Sequence, residues 1–335
     1  MQDKINMVSG IMSIPKLSII IPVYKVEAYI ERCSRSLFEQ TLDDIEYIFV
    51  NDCTPDKSIE ILEKVIKDYP HRQKSIKVIN NEVNLGLTRT RNIGLSYAMG
   101  EYIAHCDSDD WVRCDMYEKL YAMAVSSMSD VVYSDFYFAY SNENRICYTA
   151  CCDSDKTIFL RNYISSIWTV VWNMIAKKSL YQEHSLKSPE HICYCEDFWL
   201  TVRLLYHSHK TSKVSEPLYY YNQCNSSSIM HNLNCHVGDD MKCYTETIEM
   251  FSKEGCFDDY EEVLSWRVLS ALHFDMYYPD KHKEIIKIYP PAHKYICSCP
   301  FYTKKQKIMM WMLVHRCRFP VLLFIFIRNL LGREL

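Results

Sequence analysis

Short, uninterrupted apolar runs alternate with helix-patterned stretches through the first third of the chain, and this alternation restricts the fold more than any other feature. "LSIIIPV" (17–23), "IEYIFV" (45–50), "IKVI" (76–79) and "EYIAHC" (101–106) are each bounded by polar turn residues. A run without polar interruption suits a strand covered on both faces, as in a parallel sheet. Between the runs, residues 27–40 and 87–98 read as helices. "TPDKSIEILEKVIKDY" (54–69) sets Thr54 at an N-cap, Pro55 at the first helical position, and Ile59, Leu62 and Ile66 on one face. Repeated strand–helix–strand units demand crossovers, hence an α/β fold with a mostly parallel sheet.

Ligands of such sheets sit beyond the carboxyl ends of the strands. Those positions carry "PVYKVE", "NDCTPD", "NNEVNLG" and "CDSDD", so the polar clusters converge on one rim. Past residue 112 the pattern predicts a helix near 115–126, a strand at "VVYSDFYFAY" (131–140), a loop to 156 and a helix over "LRNYISSIWTVVWNMI" (160–175). The segment "CEDFWLTVRLLYHS" (195–208) follows, and then "PLYYYNQ" (217–223), an edge strand because Pro217 cannot donate to a ladder. Residues 233–300 read as helical and offer no chemistry.

With 335 residues and 48% hydrophobic content the chain can bury a large core, and a net charge of −4 gives no reason to expect nucleic acid. The 16 cysteines are irregularly spaced and no charged-apolar-small leader opens the sequence, so they read as reduced cytosolic thiols, mostly small buried residues. The close pairs Cys151/Cys152, Cys193/Cys195 and Cys297/Cys299 lack the spacing of a zinc site. Residues 1–15 show no period and read as an unstructured leader.

"DSDD" packs Asp107, Asp109 and Asp110 together at the end of the fourth strand, with no basic neighbour before Arg113. Like charges that close repel unless a cation lies among them. D-x-D spacing at a strand end sends hard oxygen ligands to one side, which suits manganese or magnesium, and such ions bind substrate phosphates. On these residues alone, a solvated acidic turn capping the next helix remains the alternative.

Taken in order, "LSIIIPVYKVEAYIERCSRSLFEQTLDDIEYIFVNDCTPDKSIEI", "NLGLTRTRNIGL" and "GEYIAHCDSDDW" resemble the successive motifs of the family 2 glycosyltransferases, closely over residues 16–125 and as isolated motifs to residue 231. The resemblance implies a GT-A fold: a Rossmann-like, mixed, mostly parallel α/β sheet flanked by helices. It implies a nucleotide-sugar donor and a divalent Mn or Mg cofactor. It gives Pro22, Tyr24 and Glu27 to the base and ribose, Tyr24 as a stacking face and Glu27 as an acceptor for sugar hydroxyls. Asp52 matches the acceptor of the uracil imide N–H, hence a UDP-linked donor, although Asn51 replaces the acid usual before it. Asn84 and Gly86 fall on the nucleotide, Arg91 near the diphosphate, and Asp107 and Ser108 on the nucleotide-sugar. Asp109 becomes the direct metal ligand, with Asp110 bonded through water or holding the loop.

"CYCEDFWL" resembles the second acidic motif of that family, which makes Asp197 the base for the acceptor hydroxyl and Glu196 its neighbour. One base and one displacement imply inversion at the anomeric carbon. By itself the ED pair reads equally as an exposed helix start. "NSSSIMH" offers His231 as a third metal ligand or as an ordinary surface histidine. Trp172, Trp199 and Trp168 read either as an acceptor-sugar platform or as core.

The chain ends in "KKQKIMMWMLVHRCRFPVLLFIFIRNLLGREL", with uncharged apolar runs at 308–314 and 319–327, and residues 301–335 hold seven Lys or Arg against one acid. A spanning helix needs about 20 apolar residues, so neither run crosses a bilayer alone. Basic residues around Trp, Phe and Leu suit a helix lying in the cytoplasmic membrane interface; a final helix packed on the core or on a second subunit is the alternative.

The sequence therefore predicts a catalytic region at 16–232 (nucleotide-binding half 16–112, acceptor half 113–232), a helical extension at 233–300 and a peripheral membrane tail at 301–335. The activity expected is inverting, metal-dependent sugar transfer to a glycan or lipid-linked acceptor in surface-polysaccharide synthesis. Two rivals stand beside it. A phosphotransferase of the haloacid dehalogenase type would want its D-x-D after the first strand, with Thr or Val where Trp111 stands. A catalytically silent nucleotide or glycan binder would have no use for Asp197.

Overall fold

The computed structural model describes residues 14–225 and 238–330. Nearly all of the expected leader, and His231, lie outside the described residues. Two units interleave along the chain: one is built from residues up to 148, 171–187 and 207–225, the other from 149–170, 188–206 and 226 onward.

In the first unit, β1 (Leu17–Val23), β2 (Ile45–Asn51), β3 (Ile76–Asn80) and β4 (Tyr102–His105) are the four expected strands, paired in parallel in the order β3-β2-β1-β4. β1 and β4 are buried throughout and β2 nearly so, whereas edge strand β3 is half-exposed, as its position at the end of the sheet requires. The crossovers carry α1 (Ile30–Phe38), α2 (Ser58–Asp68) and α3 (Leu87–Tyr97). α2 begins later than Thr54. The Thr54 hydroxyl is spent on loops, accepting from Lys25 N–H (2.8 Å) and donating to Asp56 Oδ1 (2.7 Å), and it is Asp56 that accepts from the Ser58 N–H (3.1 Å).

α3 lies directly on the sheet because position 94 is glycine. A Cβ there would stand 2.4 Å from Ile20 Cγ2 and 3.3 Å from Val50 Cγ2. Gly94→Ala is therefore expected to lift α3 off β1 and to destabilise the protein by about 1–3 kcal/mol in denaturant unfolding.

The sheet continues from β4 through strands contributed by the middle of the chain. After β5 (Trp111–Val112) and α4 (Met116–Ser127) come β6 (Val131–Ala139), β7 (Asn144–Cys147), α5 (Lys156–Ile164), β8 (Met174–Lys177), α6 (Lys178–Glu183), α7 (Glu196–His207) and β9 (Thr211–Asn222). The full path is β3-β2-β1-β4-β8-β6-β9-β5, with β7 on β6. β8 runs antiparallel to β4 and β6, and β6 parallel to β9. Two expectations change here. The helix expected over 160–175 stops at Ile164, and the stretch after the β-branched "TVVW" enters β8 instead. β9 is not an edge strand: it lies between β6 and β5, and Pro217 sits opposite Asp135 at a register shift, where the missing N–H interrupts no regular ladder.

The second unit is helical, with α5, most of α7, α8 (Asp239–Lys253), α9 (Phe257–Ala271), α10 (His282–Ile285), α11 (Lys304–Val314) and α12 (Arg318–Leu330). Buried Arg267 ties it together: its Nε donates to Ile164 O (2.7 Å), another nitrogen donates to Ser166 O, and the guanidinium lies over Phe198 and Phe301 (5.1 and 5.2 Å). Among the described residues no helix is long and apolar enough to cross a membrane.

Candidate active site

The carboxyl ends of β1 and β2 are fastened to each other. Lys25 and Cys53 both adopt left-handed φ (54° each), turning the chain immediately beyond each strand. The amides of Lys25, Val26 and Glu27 donate to Thr54 Oγ1, Ser58 Oγ and Asp56 Oδ2 (2.8, 3.1 and 3.0 Å), and Glu27 Oε2 accepts in return from Lys57 N–H (3.0 Å). Pro22 is buried in β1 opposite Val50, past the last β1–β4 pair, Ile20 with His105. Tyr24, 39% exposed, projects beside it. Asn51, where an acid was expected, donates to Asn80 Oδ1 (2.8 Å) and accepts from Thr54 N–H (2.9 Å), a pair of roles that a carboxylate could not fill.

Asp52 is buried and organises the loop before α3. Its carboxylate accepts from Leu85 N–H (2.8 Å), Gly86 N–H (2.9 Å) and Asn81 Nδ2 (2.9 Å), while Asn84 Nδ2 reaches its main-chain oxygen (3.4 Å). Gly86 holds φ +85° at the N-cap of α3, a conformation side chains rarely accept. A carboxylate has about four acceptor positions, so among the described residues one stays open.

The three acids after β4 have three different surroundings. Asp107 takes a 2.8 Å ion pair from Arg91, whose side chain is only 2% exposed. Asp109 receives Asn225 Nδ2 at 2.8 Å on its carboxylate and Asn222 Nδ2 at 3.1 Å on its carbonyl; burial, then the charge of Asp107, pushes its carboxyl up. Asp110 is fully buried and pushed well up by burial and by Asp109, accepting from Tyr219 Oη and Asn222 N–H (2.7 Å each). Of the two roles expected for Asp110, this is the loop-holding one. Ser108 between them is buried.

The neighbouring aromatics complete the floor. Trp172 is 3% exposed and stacks on Tyr219 (4.2 Å), which gives it the packing role rather than a platform face. Trp111 lies between Tyr220 (5.1 Å) and the Arg32 guanidinium (3.4 Å). Tyr219, Asn222, Asn225 and Arg32 were not anticipated. The signal was the polar ending of "YYYNQCN", legible only once β9 is known to run alongside β5.

His105 sits two residues before Asp107 and is buried, its imidazole pushed down to about 3 by burial and then by Arg91. The native ring thus stays neutral while the unfolded chain protonates near pH 6.5, so stability is lost as pH falls below about 6.5, by about 1.4 kcal/mol per unit. In urea unfolding between about pH 5 and 7, His105→Gln should lose less stability on acidification than the wild type.

In the second unit, Glu196 and Asp197 open α7 directly after Cys195, whose φ is +70°. Glu196 is buried and Asp197 half-exposed, its carbonyl accepting from Thr201 Oγ1 (2.7 Å). Carboxylates in a first helical turn are favoured by the backbone N–H groups there. Trp199 is half-buried; it donates Nε1 to Glu246 (2.8 Å) and lies under the Arg203 guanidinium (3.6 Å), which burial pushes down to about 10. Among the described residues no group of three or more His, Cys, Asp and Glu stands ready to hold a metal.

A sheet whose parallel strands deliver polar and carboxylate loops to one rim, continued by an antiparallel β8, is the fold of nucleotide-sugar glycosyltransferases of the GT-A type. Residues 18–185 match the family profile "Glycosyl transferase family 2". The chain belongs to that family and is a glycosyltransferase. It is 34% identical over 219 residues to the Bacillus subtilis glycosyltransferase EpsJ, a match covering 63% of this chain and 62% of EpsJ. To EpsH of the same organism it is 30% identical over 253 residues, covering 72% and 71%. Among solved structures, S. aureus TarS 1-349 in complex with UDP superposes with a TM-score of 0.69 at 18% identity, covering 95% of this chain and 92% of that one.

Proposed function

We propose that the enzyme moves a sugar from a UDP-linked donor to a hydroxyl of a glycan or lipid-linked oligosaccharide in surface-polysaccharide synthesis, with inversion. In this reading residues 16–232 do the chemistry, 233–300 extend it, and 301–335 hold it at the cytoplasmic membrane surface. Its main support is that Asp52, the Arg91–Asp107 pair and Asp109 all stand at the carboxyl ends of β2 and β4, beside the exposed ring of Tyr24. Tyr24 would stack on the base, the open acceptor position of Asp52 would take the imide N–H, and Arg91 would lie toward the diphosphate. The UDP complex of TarS agrees with the choice of nucleotide.

Asp109 fits a divalent cation, Mn or Mg. Among the described residues it is a recessed carboxylate that accepts from the neutral Asn225 amide and makes no ion pair with a Lys or Arg, the Arg32 charge lying farther off. An ion there would be held by Asp109 and by substrate phosphates, which is why a cluster of protein ligands is not required. When bound, it would act as a Lewis acid on the departing diphosphate. Asp197 would take the proton of the acceptor hydroxyl as the new bond forms.

A calorimetric titration with UDP, GDP, CDP and TDP, each with and without manganese, tests the donor half. Manganese-dependent binding of UDP, at least about tenfold tighter than CDP, is expected, since cytosine offers no imide N–H to Asp52. Equal binding of all four, or of none, would overturn it.

A further inference from the structure

The outward face of α12 is the reverse of what an ordinary surface helix shows. The helix buries Val321 and Ile325 and leaves Phe324 on its flank and Phe319, Leu322, Leu323, Phe326, Ile327 and Leu330 exposed, Phe319 by 76% and Phe326 by 64%. The six from Phe319 to Leu330 other than Phe324 occur at i, i+3, i+4, i+7, i+8 and i+11, which is one continuous stripe about 16 Å long. A helix of a water-soluble surface turns that stripe inward, and an apolar surface left outside marks a place of interaction.

The charged residues of α12 and of the segment before it have one sign. Arg318 opens the helix and Arg328 stands in its last turn, Arg316 precedes it, and α11 begins with exposed Lys304 and Lys305. No Asp or Glu occurs between Lys304 and Leu330. A second copy seated stripe to stripe would bring like charges together, whereas an anionic lipid surface neutralises them while its acyl chains accept the apolar side chains.

We propose that α12 is a membrane-docking plate: it lies flat on an anionic bilayer, its inner side held to the protein by Val321 and Ile325, its Phe319–Leu330 stripe sunk to the acyl boundary and the exposed basic residues of the preceding segment toward the headgroups. This deepens, and rests on, the reading that the enzyme works at a membrane surface. It identifies the face that does so and the class of lipid that receives it.

The test is vesicle flotation of the full chain with phosphatidylcholine alone and with phosphatidylcholine–phosphatidylglycerol, at low and high salt. The wild type should float with the anionic vesicles, less so at high salt, and poorly with the neutral ones. Leu323→Ser/Phe326→Ser should lower partitioning at least about tenfold, and Phe319→Ser/Leu322→Ser should do the same, because both pairs belong to one surface. Both pairs are solvent-exposed, so thermal unfolding should match the wild type. Wild-type protein that stays off anionic vesicles, or variants that float as well as it does, would overturn the proposal. So would light scattering that shows a wild-type dimer which the variants break, since the stripe would then belong to a second copy. Flotation as expected in a protein that binds no nucleotide would leave the docking face standing and remove the donor reading instead.

Discussion

Asp109→Ala should cut transferase activity by at least about a thousandfold and remove the manganese dependence of UDP binding. The argument rests on how differently the rim carboxylates are satisfied. Asp107 already has Arg91 as its cation, and Asp110 is committed to Tyr219 and to the backbone of Asn222. Asp109 has the Asn225 amide and its own backbone N–H on its carboxylate and Arg32 as a more distant charge, with no ion pair among the described residues. A charge in that position calls for a cation, and removing the carboxylate takes away the reason for one to bind. Because burial and Asp107 push the Asp109 carboxyl up, acidification should weaken metal-dependent binding earlier than an ordinary carboxylate would, as the ligand must be deprotonated. Calorimetry with UDP and manganese across pH reads both effects. UDP binding in the variant that still tightens with manganese would exclude Asp109 as the ligand.

Asp197→Asn should have the second-largest effect, a fall in kcat of about 10²–10⁴-fold with little change in UDP affinity. A base that acts only on the acceptor contributes in the transition state and leaves donor binding alone, so the loss should appear in kcat and not in the donor titration. The side chain sits in the first turn of α7, where backbone amides favour the anion, and the bond from Thr201 goes to the main-chain oxygen, which asparagine keeps. A kcat within a few-fold of wild type would return the ED pair to its other reading, a simple helix start.

The first four strands were legible in the sequence because each is a self-contained apolar run and each loop after it carries its own polar signature. β1 to β4 fall within a residue or two of the runs that announced them. What was not legible depended on pairings distant in sequence. Nothing local in "WV" reveals β5, which exists because Trp111 and Val112 meet Tyr220 and Tyr219. Pro217 reads locally as an edge residue, and only the β6–β9 register shows it to be at a bulge. The same holds in the site. Asp52 could be picked out from "NDCTPD", but its hold on the Leu85 and Gly86 amides joins residues over 30 positions apart. Trp172 and Trp199 looked alike as sequence, and their fates differ because one stacks on Tyr219 inside the sheet unit while the other is held by Glu246 and Arg203.

The interleaving of the two units bears on how such an enzyme can be altered. The chain leaves the sheet unit at 149, returns at 171, leaves again at 188, returns at 207 and departs at 226. No single cut yields either unit whole, so a simple fusion of the front of one relative to the back of another would splice strands such as β8 and β9 from one parent into the sheet of the other. Exchanging the helical unit between relatives therefore means grafting 149–170 and 188–206 together with the segment from 226 onward, with the sheet left intact.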